Sequence, residues 1–78
     1  MIREHDNAVL VRDLPDHGLK RGDIGTVVLV HRSKGYEVEF MTLDGETLAT
    51  VSLARDDVRP IGHREIAHAR QIERASAK

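Results

Sequence analysis

The sequence predicts a mainly β domain, a small barrel of about five antiparallel strands followed by a short C-terminal α-helix. A glycine-punctuated loop over Gly18–Gly25 leads directly into the β-branched run Thr26–Val30. Glycine allows positive φ and close backbone approach, whereas β-branched residues favour extended chain. The segment Tyr36–Phe40 alternates strictly between apolar and acidic residues, and Asp44-Gly45 then supplies the residues of a tight hairpin turn. Short strands joined by such turns are typical of small antiparallel barrels.

Length and composition limit the chain to one small domain without covalent cross-links. A chain of 78 residues buries only about 60% of the surface that its unfolded form exposes, so its core is small. Cysteine is absent, which excludes disulfides, thiolate metal sites and cysteine nucleophiles. We predict a barrel domain over residues 1–62 and a helical tail over residues 63–78. The charged start Met1–Asp6 does not suit a secretory signal, and no apolar stretch reaches membrane-spanning length, so we expect a cytoplasmic protein and no membrane contact.

The first half of the chain predicts two strands separated by a long loop. Asn7–Arg12 is a compact apolar run that indicates a buried first strand. The following loop, Asp13–Ile24, is expected to be anchored by Leu19 and Ile24. The second strand is predicted over Gly25–His31 and has apolar residues on both faces, so we expect it to be covered on both sides somewhere along its length. Strict alternation would place two residues on each face, Val28 with Val30 and Val27 with Leu29.

The second half predicts a hairpin, a brief last strand and the tail helix. The period of two directs Tyr36, Val38 and Phe40 to the core and Glu37 and Glu39 to water. In the fourth strand, Thr47–Leu53, the inward row is Ala49, Val51 and Leu53, and the outward row is Leu48, Thr50 and Ser52. Val58 is the expected core contact of a short final strand that Pro60 ends. The tail helix is predicted from apolar residues spaced three apart, Ile66, Ala69, Ile72 and Ala75. The charges suit the dipole of such a helix, because Glu65 lies near its start and Arg70, Arg74 and Lys78 lie toward its end.

Several segments resemble the bacterial domain-of-unknown-function family 4926. They are Asp13-Leu14-Pro15, Gly18-Leu19, Gly22–Val28, Tyr36–Phe40, Asp44–Thr47 and Val58-Arg59-Pro60. The resemblance covers about residues 6–60 and leaves the tail outside. It implies an SH3-like small barrel and a bacterial origin. The family brings no established activity, so no catalytic residue is carried over.

A second resemblance is confined to Gly22–Val30. This stretch is similar to the Gly-Asp-x-Gly-x-Val core of ribosomal and transcription-factor barrels, which bind RNA or polymerase. The basic loops that such modules bring to RNA are missing from this chain. The shared core therefore indicates shared turn geometry.

Charge and aromatic content bear on the class of partner. Residues 1–62 carry eight basic and eleven acidic side chains, whereas residues 63–78 carry four basic and two acidic ones. The predicted barrel is therefore acidic, and its only aromatic residues, Tyr36 and Phe40, are assigned to the core. Nucleic-acid surfaces usually combine a basic footprint with exposed aromatic platforms. This composition disfavours nucleic acid and leaves a protein as the expected partner.

The sequence offers no convincing catalytic or metal site. Five histidines are present, at positions 5, 17, 31, 63 and 68, and none is three or four residues from another, the spacing that places two ligands on one helix face. Asp16-His17 has the chemistry of an acid–base pair but lacks a nucleophile and an oxyanion device, and in a loop with Pro15 and Gly18 it favours turn chemistry. Asp23 is expected to accept a backbone hydrogen bond in its turn. We predict no enzyme activity, no metal and no cofactor.

The leading functional hypothesis is a non-enzymatic protein-binding module, by analogy antitoxin- or immunity-like. Its proposed contacts are the acidic pair Glu37 and Glu39, with Asp44 and Glu46 a turn away, and the tail residues Ile66 and Ile72. The alternative is an RNA- or ribosome-associated module that uses basic residues around one barrel end and in the tail: Lys20, Arg21, Arg32 and Lys34 with Arg64, Arg70 and Arg74. A third hypothesis is self-association through an exposed strand edge.

Overall fold

The computed structural model describes residues 2–72, which form a single five-stranded antiparallel sheet. The strands are β1 (Asn7–Leu10), β2 (Ile24–His31), β3 (Gly35–Met41), β4 (Thr47–Leu53) and β5 (Val58–Pro60). Their order across the sheet is β4-β3-β2-β1-β5. Two 3₁₀ turns, Pro15–His17 and Arg55–Asp57, are the only helical elements of the described chain. The predicted class, mainly β with about five antiparallel strands, is confirmed.

One face of the sheet packs into the core. The largest side chains that are fully buried there are Phe40, Leu10, Val27 and Val38. Tyr36 and Val58 join the same cluster, and Leu53 closes it from β4. The inward row predicted for β3 is therefore confirmed, as is the core contact of Val58. Every second residue is apolar from Tyr36 to Phe40 in β3 and from Ala49 to Leu53 in β4. No polar side chain therefore interrupts the inward row of either strand.

A β-bulge in β2 breaks the predicted alternation. Val27 lies opposite Val38, but the next pair in register joins Leu29 to Glu37, so Val28 has no partner on β3. After an extra residue of this kind, each following side chain points to the face opposite to the one that strict alternation assigns to it. The inward position consequently passes from Val27 to Val30, and Val28 and Leu29 are exposed by 39% and 43%. The predicted pairing of faces along β2 was wrong, and around the bulge the strand is open to solvent on its outer side.

The loop between β1 and β2 folds back on itself around two leucines. Leu14 and Leu19 exchange backbone hydrogen bonds of 2.8 and 3.1 Å, and both side chains are buried. Leu19 is thus the anchor that the sequence predicted. Ile24 is not an anchor, because it begins β2 and is 39% exposed. Its neighbour Gly25 takes the buried position, so alternation turns Ile24 outward.

The predicted tail helix is absent from the part of the tail that the structure describes, residues 61–72. This stretch has no regular secondary structure, and Ile66 is 94% exposed. Its apolar stripe is too thin to hold a helix against the sheet, and an isolated helix of this length is marginal in water. Ala75, Arg74 and Lys78, which completed the predicted pattern, lie outside the described residues. No helix within residues 2–72 is long and apolar enough to cross a membrane.

Candidate functional site

The solvent-facing side of β2, β3 and β4 carries the acidic pair that the sequence singled out. We call it the outer sheet face, formed by Thr26, Val28, Leu29, Glu37, Glu39, Met41, Thr50 and Ser52. Cross-strand register places Thr26, Glu39 and Thr50 in one row. Leu29, Glu37 and Ser52 form the next row. All eight residues are exposed or half-buried, so a partner has direct access to this face.

Both carboxylates of the outer sheet face are held by neighbouring strands. Glu37 accepts a hydrogen bond from the Ser52 hydroxyl and lies 2.9 Å from Nε2 of His31. Glu39 accepts a hydrogen bond of 2.7 Å from the Thr47 hydroxyl. The Ser52 and His31 hydrogen bonds lower the pKa of Glu37, since they favour its charged form. The pair points outward as predicted, but each carboxylate is half-buried and fixed in place.

Ser52, His31 and Glu37 have the composition of a hydrolytic triad but not its order. In such a triad the imidazole lies between the hydroxyl and the carboxylate, and it takes the hydroxyl proton. Here Ser52 and His31 both contact the same Glu37 oxygen, Oε2. A carboxylate of lowered pKa is a weak base for a hydroxyl. The trio therefore links β2, β3 and β4 and does not activate Ser52 as a nucleophile.

Exposed apolar side chains flank the two carboxylates. Val28 and Leu29, which the bulge turns outward, are 39% and 43% exposed on one side. Met41, 45% exposed, lies two residues beyond Glu39 on the other. The outer sheet face thus combines anionic and apolar groups.

The basic residues of the alternative hypothesis do not form one patch. Lys20 and Arg21 precede β2, whereas Arg32 and Lys34 follow it. An eight-residue strand spans about 25 Å, so the two pairs lie near opposite ends of β2. The two basic pairs therefore lie before and after β2, and the RNA-associated alternative stays a prediction.

Arg70 is held in a tether that the sequence analysis missed. Its guanidinium donates to both carboxylate oxygens of Asp23, at 2.8 and 2.5 Å, and to the carbonyl of Gly18 at 3.1 Å. Asp23 also accepts a hydrogen bond of 2.8 Å from the backbone of Lys20, which confirms the turn role predicted for it. Partial burial would raise the pKa of Asp23, but the hydrogen bonds from Arg70 and Lys20 outweigh it and leave this pKa below its ordinary value. No sequence signal relates Arg70 to Asp23, which lies 47 residues earlier.

A second tether fixes the start of the tail. Arg59 donates to both carboxylate oxygens of Glu65, at 2.9 and 2.7 Å, and the Gly62 backbone donates to Glu65 at 2.5 Å. These hydrogen bonds lower the pKa of Glu65 to about 2.

The two tethers carry the tail from one neighbour of β1 to the other. Arg59 lies in β5 and Asp23 immediately precedes β2, while β1 runs between those strands. Val9, opposite Arg59 and Ile24 in register, is only 6% exposed although it does not join the core cluster. The described tail is thus attached on both sides of β1.

The tail residues proposed as partner contacts lie in different surroundings. Ile66 projects into solvent between the tethers, and Ile72 is half-buried near the end of the described chain. They do not share the helix stripe on which the sequence hypothesis placed them. Arg64 is exposed in the same stretch.

Asp16 and His17 lie in the first 3₁₀ turn, beside a cleft of about 270 Å³. The end of β4, from Val51 to Leu53, forms its other wall. Arg12, which also lines the cleft, is bound to Asp57 at 2.7 Å. Asp16 and His17 are exposed and make no side-chain hydrogen bond with the rest of the described chain. Within residues 2–72 no group of three or more His, Asp or Glu side chains is placed to hold a metal ion.

Comparison with known proteins identifies a family. No curated protein and no solved structure matches the chain. The family model described as "Domain of unknown function (DUF4926)" matches residues 4–60, from the segment before β1 to the last residue of β5. It covers the whole sheet with Glu37 and Glu39, it includes Asp23 before β2, and it ends before Arg70. Since the match spans more than half of the chain, the protein belongs to the DUF4926 family.

Proposed function

We propose that this chain is a non-catalytic module that binds another protein through its outer sheet face. The observation that carries the proposal is the combination of three exposed apolar side chains with two oriented carboxylates on that face. Val28, Leu29 and Met41 are 39% to 45% exposed. Apolar groups among a few fixed polar ones are the usual composition of an interface core.

The partner is expected to present Lys or Arg side chains opposite Glu37 and Glu39. The lowered pKa of Glu37 keeps that carboxylate charged throughout the neutral range. Because hydrogen bonds from Ser52 and Thr47 already hold the two carboxylates, little side-chain entropy is lost when a cation docks. The acidic balance of residues 1–62 also favours a basic partner.

We further propose that the sheet curls into the SH3-like barrel that the family resemblance implies. The chain runs through β1, β2, β3 and β4 as neighbours, and β5 then returns to pair with β1. A meander with a returning last strand is the connectivity required to bring a small sheet toward closure. Cytoplasmic location and bacterial origin stay predictions from the sequence.

The test is capture of partners by the full-length tagged chain from a bacterial lysate, at low and at high salt. Leu29→Ser removes an exposed apolar side chain from the outer sheet face. Leu43→Ser is the matched control, since Leu43 is 92% exposed at the β3–β4 turn and lies off that face. We expect the wild type and the control to retain one stoichiometric protein at high salt, and Leu29→Ser to lose it.

Two results would overturn the proposal. One is retention of the same protein by Leu29→Ser, with folding of all three chains verified by circular dichroism. The other is capture of nucleic acid that disappears as salt rises, since phosphate contacts release counterions. That second result would favour the RNA-associated alternative.

A further inference from the structure

The β3–β4 turn, Thr42–Glu46, presents an aspartate directly before a glycine. The Thr42 N–H donates to the Glu46 carbonyl at 2.8 Å and closes the turn. The Gly45 N–H donates to the Thr42 carbonyl at 3.1 Å, and Gly45 itself has a φ of 99°. This is the backbone pattern of a three-residue hairpin turn whose last residue is left-handed. Asp44 and Gly45 are both exposed, so water has direct access to them.

Asp44 followed by Gly45 is open to a covalent rearrangement that uses no enzyme. The Gly45 backbone nitrogen attacks Cγ of the protonated Asp44 carboxyl group and forms a C–N bond. The carboxyl hydroxyl leaves as water with the hydrogen of that nitrogen, and a five-membered succinimide ring remains. One water molecule then opens the ring. Cleavage between the nitrogen and Cγ restores aspartate, whereas cleavage between the nitrogen and the main-chain carbonyl carbon gives isoaspartate, in which the chain continues through Cγ.

Asp44 is better placed for this rearrangement than the other aspartates. The sequence has seven aspartates, and Asp44 is the only one that precedes a glycine. Glycine has no side chain to hinder the approach of Cγ to the nitrogen, and it gives the backbone the rotational freedom that ring closure requires. The carboxylates of two other aspartates are bound to arginines, Asp23 to Arg70 and Asp57 to Arg12.

Thr42 holds both reacting groups in hydrogen bonds that the rearrangement must break. Its hydroxyl donates to Oδ1 of Asp44 at 2.5 Å and accepts from the Glu46 N–H at 2.9 Å. Its carbonyl accepts from the Gly45 N–H. Attack by the nitrogen therefore requires local opening of the turn, which costs least in exposed loops with few buried contacts. Loss of the Thr42 hydroxyl removes one of these restraints.

We propose that Asp44 is the principal site of isoaspartate formation in this chain and that the Thr42 hydroxyl limits the rate. The product has one additional main-chain carbon in the β3–β4 turn and carries its carboxylate directly on Cα. It therefore alters the hairpin that joins β3 to β4. This modification is independent of the proposed partner binding, since it requires neither the outer sheet face nor a second protein.

The test follows the full wild-type chain in mildly acidic buffer at physiological temperature over several weeks. Trypsin then releases the peptide Gly35–Arg55, whose only aspartate is Asp44. Isoaspartate leaves the mass of this peptide unchanged but shifts its chromatographic retention, and electron-transfer fragmentation identifies it. We expect the isoaspartyl form of this peptide to accumulate with time, and faster than isoaspartate in the peptides that carry the other aspartates.

Three variants isolate the role of the Thr42 hydroxyl. Thr42→Val removes it and keeps the branched shape of the side chain, so loss of the hydrogen bond to Asp44 should raise the rate of isoaspartate formation about fivefold or more. Thr47→Val is the matched control, because the Thr47 hydroxyl donates to Glu39, and its rate should equal that of the wild type. Asp44→Glu is the blank, since its longer side chain would require a six-membered ring, and its peptide should show no isomer.

The proposal fails on any of three results. One is an isoaspartyl fraction of Gly35–Arg55 that does not increase during the incubation in either the wild type or Thr42→Val. Another is faster accumulation of isoaspartate in a peptide that carries a different aspartate. The third is an equal rate in Thr42→Val and the wild type, with folding of both chains verified by circular dichroism, which would show that the Thr42 hydroxyl does not limit the reaction.

Discussion

Gly35 and Gly45 both have positive φ, but their surroundings differ. At Gly35, with φ of 133°, a Cβ atom would collide with the backbone carbonyl oxygen of Leu53. At Gly45, with φ of 99°, a Cβ atom would meet nothing within 4 Å. Gly35 therefore allows β3 and the end of β4 to approach closely, whereas Gly45 is needed only for the backbone conformation of the β3–β4 turn.

This difference predicts two distinct costs of alanine. Gly45→Ala should lower the free energy of unfolding by about 1–2 kcal/mol, the usual cost of a left-handed conformation. Gly35→Ala carries a strain of the same kind and also forces the backbone of Leu53 to move, so a loss of about 3 kcal/mol or more is expected. Urea denaturation of the two variants measures both values. Equal losses would show that the close approach at Gly35 is unimportant.

Individual core residues were predictable where a strand is regular. Tyr36, Val38 and Phe40 followed from alternation alone, because β3 is regular through these three positions. Val28 and Leu29 did not, because the bulge depends on pairing with β3 and leaves no mark in the local sequence. The apolar part of the outer sheet face was missed for this reason, while its carboxylates were found.

Among the elements, the strands were predictable and the tail was not. The strands are specified by neighbouring residues, such as the β-branched run in β2 and the Asp44-Gly45 turn before β4. The described tail is held instead by two ion pairs, one between Arg70 and Asp23 and one between Glu65 and Arg59. The first of these contacts joins residues 47 apart in sequence. A weak local helix pattern cannot compete with two bidentate ion pairs that fix an irregular path.

The tether at Arg70 is testable by comparing two arginines of the same tail. Arg70→Gln removes the cation that lowers the pKa of Asp23, so this pKa should rise; Arg64→Gln removes the same charge from an exposed position. NMR titration of the Asp23 carboxyl group measures the change in its pKa.

In the wild type, the tether stabilises the fold at pH values above the ordinary pKa of aspartate, 3.8. This contribution is lost as the pH falls through the lower pKa that Asp23 has in the folded chain. An unchanged Asp23 pKa in Arg70→Gln, or an equal rise in Arg64→Gln, would contradict the tether.

The whole molecule is expected to lose stability in acid. Every carboxylate with a shifted pKa has it lowered: Asp23, Glu37, Asp57 and Glu65. For Asp57 the main cause is the hydrogen bond from Arg12, assisted by the Ala54 backbone. Because each group has a higher pKa after unfolding, the unfolded chain binds more protons in the interval between the two values. Protonation therefore favours unfolding there, and the free energy of unfolding falls as pH decreases.

The interval follows from the individual groups. It begins near the ordinary glutamate value of 4.5 and extends to the folded value of Glu65, about 2. Urea midpoints measured between about pH 7 and pH 2 should be constant at the upper end and fall steadily below about pH 4.5. Asp57→Asn replaces one of these carboxylates with a neutral amide, so its midpoint should be lower at pH 7 and decline less toward pH 2. A wild-type midpoint that stays constant down to pH 2 would mean that these ion pairs persist equally in the unfolded chain, and would contradict their role in holding the loops and tail to the sheet.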